Sequence, residues 1–561
     1  MIDERILCNG HENMRLVRYD ELAEVGIKTV KFSELGNFTN DGVLKACFHN
    51  ENGELVQLYT DQGNHVGVIA ATRLGKTTSY VVPTIISFAM QKVKKSFIVS
   101  DPKGEIYRLT AETLKKQGYK IKLLNFRDYK HSEFWNPLTP IFRKHKKAVA
   151  VYDSVEAVQI DGEWKYRFNG KIYDDRERLD RDVEDERKAI LDDLNNDIDN
   201  MGAMMVNNDI ERDPTWEDGV RDLFKAFLYA MLEDTESKEN PITEETFSLD
   251  TMFEIISTFS DNNDNGFDGG YFSSRDKNSK AYRLSKPIVM DVGGNTRGSY
   301  MTVWQTKFTG FMELVTRRIT SCNSFEIDEL GDAPIALFVC YRDELKAHFK
   351  TITMFVQNAY KFLIEKASSN RNGKLKVPFY FILDEFGNFA PIKDFETTIS
   401  ACAGRNIWFI LIIQSYAQLS AVYSGAVSSI IRDNLNVHVF FGSNNPETLE
   451  EFSRECGQYT RISPLSAANG KGVEIEKYEL ETLQLVTKSS LSHFSPGECI
   501  VTEANCGYVM FSSMERYFNC AEFADLPESD FDDYVVNINP SDDKYSYKYV
   551  PRKSKRRLFD F

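Results

Sequence analysis

The stretch "VIAATRLGKTTSY" places Gly75, Lys76 and Thr77 between an apolar run and a helix-like one. A loop in that position offers converging backbone N–H groups and the positive end of a helix to a chain of phosphates. On this reading Ala70, Ala71, Thr72, Arg73, Leu74, Gly75, Lys76, Thr77 and Thr78 form the cradle. The Lys76 ammonium would reach the β- and γ-phosphates, and the Thr77 hydroxyl would bind magnesium, so the implied cofactors are ATP and Mg2+. The first position breaks the usual pattern, because Ala70 stands where a glycine is expected. A positive φ there would cost alanine about 1–2 kcal/mol, and a negative φ would cost nothing.

Four further residues belong to the same chemistry. In "FYFILDEF" five apolar residues run into Asp384 and Glu385. A carboxylate at the C-terminal end of a strand beside the phosphate loop can hold the magnesium shell, which pairs Asp384 with Thr77 as metal-binding groups. The adjoining Glu385 can then polarise the attacking water. The run "IWFILIIQS" ends a buried strand at Gln414, placed to sense the γ-phosphate or the water, or simply to close a strand-end hydrogen bond. Arg405, in "AGRN", precedes that strand and suits either an arginine finger in a neighbouring subunit's site or a surface ion pair.

These side chains need a scaffold that brings strand ends together. Short apolar runs recur along the chain: "HVGVIAA", "SFIVSD", "KIKLLNF", "PIALFVCY", "PFYFILDE", "IWFILIIQ" and "VHVFFGS". Nearly unbroken apolar runs of this length mark parallel strands covered on both faces. Helical stretches such as "FKTITMFVQNAYKFLIEKA" lie between them, so the fold class is α/β and doubly wound around a mainly parallel sheet. Residues 1–65 read as a lead-in of short strands, and 66–150 with 301–525 as the nucleotide-binding domain. Residues 151–300 have helical spacing without strand runs and read as an inserted all-α domain, with the loop "SDNNDNGFDGG" near its end.

Charge is distributed unevenly. The chain of 561 residues carries −16 at neutral pH, yet residues 151–270 alone carry −21 and the rest is net +5. A face of that sign repels DNA and suits a basic partner, if it does more than stay solvated. The 42% hydrophobic content is that of a globular protein, and no apolar run reaches the ~18 residues needed to span a bilayer. Nine scattered cysteines without a CxxC pair argue against zinc and for reduced thiols in the cytosol. Residues 526–561 read as a disordered tail whose basic end clusters Lys548, Arg552, Lys553, Lys555, Arg556 and Arg557.

Taken in order, "ATRLGKT", "SDPKGEIY", "SEFWNPL", "TRGSYMTVW", "FILDEFGN", "AGRNI" and "LIIQSYAQL" resemble the type IV coupling proteins. These are conjugative DNA-transfer ATPases related to FtsK-type DNA translocases. The resemblance runs from about residue 60 to 515 and implies a RecA-like P-loop domain carrying an all-helical insertion. It also implies catalytic roles for Asp384, Glu385 and Gln414, a trans-acting Arg405, and support from Asp101 and Lys103. Trp135, Asn136 and Pro137 read better as a structural turn. The partners implied are DNA, single- or double-stranded, a relaxase, a secretion-channel membrane protein as anchor, and further copies of the chain in a hexameric ring. Many members begin with membrane-spanning helices and this chain shows none, so the expectation is a cytoplasmic protein held at the inner face of the membrane by a partner.

Overall fold

A computed structural model describes residues 14–160, 163–206, 214–261, 270–345, 347–469, 472–504, 506–524 and 526–549. Most of the Asn/Asp/Gly-rich loop and the tail's basic residues beyond 549 lie outside these. The chain divides into two compact units. The first comprises residues 1–127, 326–344 and 356–535, and the second comprises 128–325, 345–355 and 536–561. The second unit therefore begins earlier than the expected boundary at 151 and takes in two further segments.

In chain order the strands are β1 (Arg15–Leu16), β2 (Lys28–Lys31), β3 (Leu44–His49), β4 (Leu55–Tyr59), β5 (Val66–Ala70), β6 (Ser96–Asp101) and β7 (Lys120–Asn125). There follow β8 (Glu156–Ile160), β9 (Glu163–Phe168), β10 (Lys171–Tyr173), β11 (Ile335–Cys340), β12 (Phe379–Leu383), β13 (Ile407–Ile413) and β14 (Val437–Gly442). The last are β15 (Gln458–Asn469), β16 (Gly472–Gln484), β17 (Glu498–Glu503) and β18 (Tyr508–Ser513).

The first unit is built on a ten-stranded sheet of order β1-β18-β17-β14-β5-β13-β12-β6-β11-β7. From β14 to β7 every pairing is parallel, and β17 and β18 add an antiparallel margin. Strands β5, β6, β11, β12, β13 and β14 are buried almost throughout, which is why their sequences run apolar without alternation. Aromatic rings fill the layers on either side: Phe381 stacks on Phe409 at 4.9 Å between centroids, and Phe88 meets Tyr380 at 4.8 Å. A three-stranded sheet, β2-β4-β3, and a long β15–β16 hairpin complete this unit.

The helix Glu105–Lys116 follows β6 through Gly104, whose φ of 74° lets the chain turn sharply into it. Glu105 in its first turn and Lys115 and Lys116 in its last complement the helix dipole.

The second unit is mostly helical, with Arg176–Met205 and Pro214–Asp234 its longest helices. Asp175 caps the former by accepting from the Glu177 N–H. Trp304 and Phe308 stack at 4.2 Å in a core that also holds Phe224 and Phe227. The expectation of an all-α insertion is corrected by the antiparallel meander β8-β9-β10. Asn169 and Gly170, both with positive φ (46° and 75°), make its second turn, because a tight hairpin needs left-handed residues there. Trp135, Asn136 and Pro137 form a structural turn in the same unit. Trp135 is buried edge-on against Phe355, while the Asn136 carboxamide accepts from the Leu138 N–H and donates to the Phe247 carbonyl.

Candidate nucleotide site

Four neighbouring parallel strands, β5, β13, β12 and β6, end on the same edge of the large sheet. Each delivers a sequence-predicted residue there: the loop after β5, Gln414 after β13, Asp384 and Glu385 after β12, and Asp101 at the end of β6. Ligands of open α/β sheets bind at this carboxyl edge.

The loop departs from the strand without strain at Ala70. That residue is fully buried, pairs in register with Gly442, and is not among the residues of positive φ. The left-handed positions fall instead at Arg73 (φ 73°) and Gly75 (φ 88°). The φ of Gly75 calls for glycine, and an added Cβ would in addition crowd the Ser79 Oγ at 3.0 Å. Lys76–Val81 then winds as a π-helical turn into the helix Val82–Met90.

Lys76 ion-pairs with Glu385 and, at 3.2 Å, with Asp384. Thr77 Oγ1 faces Asp384 Oδ2 at 3.4 Å. Two hard oxygen donors on one side of the loop suit the octahedral shell of Mg2+, so the residues present fit that ion. Asp384 is buried, and burial pushes its carboxyl above the usual range despite the opposing Lys76. Burial works against the Lys76 ammonium too, but Asp384 and Glu385 together outweigh it and hold its pKa above the ordinary lysine value. The Ser100 hydroxyl donates to the Asp384 carbonyl at 3.0 Å and fixes the strand end.

Glu385 has a φ of 56°, a left-handed conformation costing a non-glycine residue about 1–2 kcal/mol. The backbone turn re-aims its side chain back at the loop. Gln414 Nε2 donates to Glu385 Oε2 at 2.9 Å, so Glu385 is held between Gln414 and Lys76. Strain of this kind collects where a side chain must be aimed.

A cavity of about 530 Å3 opens over these groups. Thr72, Arg73, Gly75, Lys76, Thr77 and Thr78 form its floor, with Asp384, Glu385, Asp101 and Lys103 at the side. Asp101 accepts from the Tyr107 N–H at 2.8 Å, and burial raises its pKa to about 6. Asp343, Arg516 and Phe518 also line the cavity and were not found from sequence. Arg516 and Phe518 sit in "MERYFN", beyond β18, where no motif marks them.

Arg405 is not brought to this cavity within the chain. It precedes β13, at the opposite end from Gln414, and donates to the Ala401 carbonyl. Seven residues of strand separate the two ends, roughly 23 Å. A larger cavity, about 940 Å3, opens on that far edge around Tyr416, Arg432, His438, Glu455 and Thr502. Its acids and bases pair with one another, as in His438–Glu455 and Arg432–Glu451, and it has no phosphate loop. The smaller cavity holds the chemistry.

Comparison with known proteins agrees with this geometry. The family described as "Type IV secretory system Conjugative DNA transfer" matches residues 27–504, well over half of the chain. Conjugal transfer protein TraG of Escherichia coli is 22% identical over 442 residues, covering 77% of this chain and 61% of that protein. Protein VirD4 of Rhizobium rhizogenes is 22% identical over 398 residues, covering 71% and 50%. The chain thus spans between half and two thirds of the length of these relatives.

Among solved structures, plasmid coupling protein TrwB shares the fold. In its complex with the ATP analogue ADPNP the TM-score is 0.57 at 13% identity, covering 96% of this chain and 97% of that one. In its complex with ADP and Mg2+ the TM-score is 0.56 at 14% identity, covering 91% and 95%. No helix among the described residues is long and apolar enough to cross a membrane. A phosphate loop, a paired-carboxylate strand end and a match over most of the sequence lead to one conclusion: the chain belongs to the type IV secretory system conjugative DNA transfer family.

Proposed function

We propose that this chain is a P-loop ATPase that couples a relaxase–DNA substrate to a conjugative transfer channel. The observation that carries the reading is the convergence of Lys76, Thr77, Asp384 and Glu385 on one cavity, with Gln414 hydrogen-bonded to Glu385 behind it, in a member of this family. Lys76 supplies the cation for the phosphates, and Thr77 with Asp384 supplies the oxygens for Mg2+. That ion, when bound, would neutralise charge developing on the β- and γ-phosphates. Glu385 takes a proton from the attacking water, and Gln414 fixes the carboxylate that does so.

Arg405, remote from its own cavity, acts on a neighbouring subunit in a ring, which we take to be a hexamer. The acidic helical insertion faces basic partners such as the relaxase, and DNA follows the less acidic first unit. A secretion-channel membrane protein holds the assembly at the inner face of the cell membrane, with the tail after residue 545 as an accessory attachment.

The test is Mg2+-dependent ATP turnover by the full chain, with and without DNA, beside DNA transfer in cells. Turnover should rise with DNA, and Lys76→Ala should abolish nucleotide binding, since it removes the charge that neutralises the phosphates. Unchanged ATP affinity in that variant refutes the site. Turnover indifferent to single- and double-stranded DNA would instead make the protein a nucleotide-gated docking adaptor.

A further inference from the structure

The phosphate loop and the acidic pair leave one side of the cavity unexplained. That side is made by the chain after β18, where Arg516 and Phe518 line the same 530 Å3 space as Lys76 and Thr78. We infer that Arg516 and Phe518 complete the nucleotide site from within the same chain, the guanidinium taking phosphate oxygens beside Gly75 and the phenyl ring covering the base. This rests on the reading of the cavity as a nucleotide site.

Arg516 is placed on the loop itself: a Cβ built on Gly75 would lie 3.5 Å from the Arg516 Nε. That Nε is buried and has no hydrogen-bond partner, and among the described residues the guanidinium makes no ion pair. Leaving a buried donor of this kind unsatisfied costs about 1–3 kcal/mol. The acids around the cavity do not relieve it: Glu385 and Asp384 are engaged by Lys76, Asp101 by the Tyr107 N–H, and among the described residues neither Asp343 nor Glu105, which also line the space, forms an ion pair with Arg516. A guanidinium free to present several donors in a fixed fork matches phosphate oxygens. Its position beside the loop backbone supplies the reason for burying it.

Phe518 is 52% exposed, an unusual state for a phenyl ring on the wall of a charged cavity. The Arg516 guanidinium lies 5.8 Å from its ring centroid, and Tyr517 packs edge-on against it at 5.3 Å. An aromatic face adjacent to an arginine suits a nucleoside polyphosphate, which carries charge at one end and a flat ring at the other. Stacking of a base on such a face contributes about 1–3 kcal/mol.

The segment is anchored so that both side chains are presented, not left to drift. Glu515 accepts from the His49 backbone N–H at 2.9 Å and from its Nδ1 at 2.8 Å, and the Glu515 N–H donates to the Cys47 carbonyl. His49 Nε2 reaches Glu522 at 3.3 Å, so the turn Tyr517–Asn519 is clasped at both ends to β3. The clasp fixes the reach of Arg516 into the cavity before any ligand arrives.

The test compares ATP with inorganic tripolyphosphate, which carries the charge without the base, in equilibrium binding to the full-length protein with Mg2+. Arg516→Ala should weaken both by about tenfold or more, and Arg516→Lys should recover part of the loss. Phe518→Ala should weaken ATP by about tenfold and leave tripolyphosphate unchanged, while Phe518→Tyr retains ATP affinity. Unchanged tripolyphosphate affinity in Arg516→Ala, with its melting temperature retained, overturns the phosphate role. Equal losses for both ligands in Phe518→Ala overturn the base role. Loss of binding in Lys76→Ala with normal binding in Arg516→Ala sinks this inference and leaves the nucleotide site standing. A wild-type chain that binds neither ligand sinks both.

Discussion

Both units bury ionic clusters, and only one of them has the marks of a reaction site. In the second unit the Arg275 side chain is 1% exposed, forks onto Glu233 at 2.9 Å and Asp234 at 2.7 Å, and packs over the Tyr271 ring at 4.4 Å. Lys307 and Glu217 form another buried pair there. Apart from the partly exposed Glu233, these charges are buried, and each is answered by an ion-pair partner. In the first unit Lys76, Asp384 and Glu385 are also paired, but they face a cavity, Glu385 has left-handed backbone, and Arg516 beside them lacks an anion. Burial of charge does not by itself mark chemistry. Cavity, strain and an unanswered cation together do.

Glu385 is where the contrast should break most sharply. Glu385→Gln keeps the hydrogen-bonding shape but cannot take a proton from water, so single-turnover hydrolysis should fall by about 10⁴-fold with ATP affinity retained. Turnover within a few-fold of wild type would place the catalytic carboxylate elsewhere. Arg405→Ala comes next, with a loss of about 10³-fold if it serves a neighbouring site. Mixing that variant with Lys76→Ala should restore part of the activity through mixed interfaces. No recovery at any ratio, with subunit exchange verified, would confine Arg405 to its own chain.

The enclosed cluster should respond in the opposite currency. Arg275→Met takes the cation away from the buried Asp234 and should destabilise the protein by about 3–5 kcal/mol in chemical denaturation. Per folded molecule, ATP turnover should stay within about twofold of wild type. A large loss of turnover at full folding would erase the distinction between the two clusters.

What could be read from sequence follows the same division. The loop, Asp384, Glu385 and Gln414 were legible because each lies at the end of a strand buried on both faces, and such strands announce themselves as short apolar runs. Arg516 was not legible, because its proximity to Gly75 depends on how the chain after β18 returns, and no local pattern encodes that. The meander at 156–173 was missed for a different reason. Charged residues in "EWKYRF" obscure the alternation of a strand, although the Asn169–Gly170 pair carried the hairpin signal. The motif did not encode the backbone at Ala70, which is unstrained because the loop moves its positive φ to Arg73 and Gly75. For Arg405 the chain alone supplies position, and its role belongs to an assembly.

The subtlest contrast lies inside the first unit, at Lys95. Its side chain is fully buried and donates to the Gly42 carbonyl at 2.8 Å, with the Phe88, Tyr59 and Tyr380 rings 5.0–6.0 Å away. Among the described residues no carboxylate comes within ion-pair distance, and burial lowers its pKa to about 7. Unfolded, the same ammonium holds its proton up to the ordinary lysine value of about 10.4. Between these limits the unfolded chain binds more protons, so this group's contribution makes the protein more stable as pH rises from about 7 towards 10. Below 7 the folded protein must bury the charge, and the full penalty is present. Lys95→Met retains the apolar stem and removes the titration, at the cost of about 1 kcal/mol for the lost bond to Gly42. The variant should therefore exceed wild-type stability at pH 6 by a margin that narrows steadily as pH rises towards 10, with no change in ATP affinity across that range. Parallel stability curves across that range would show that Lys95 stays charged and is held by rings and carbonyl alone.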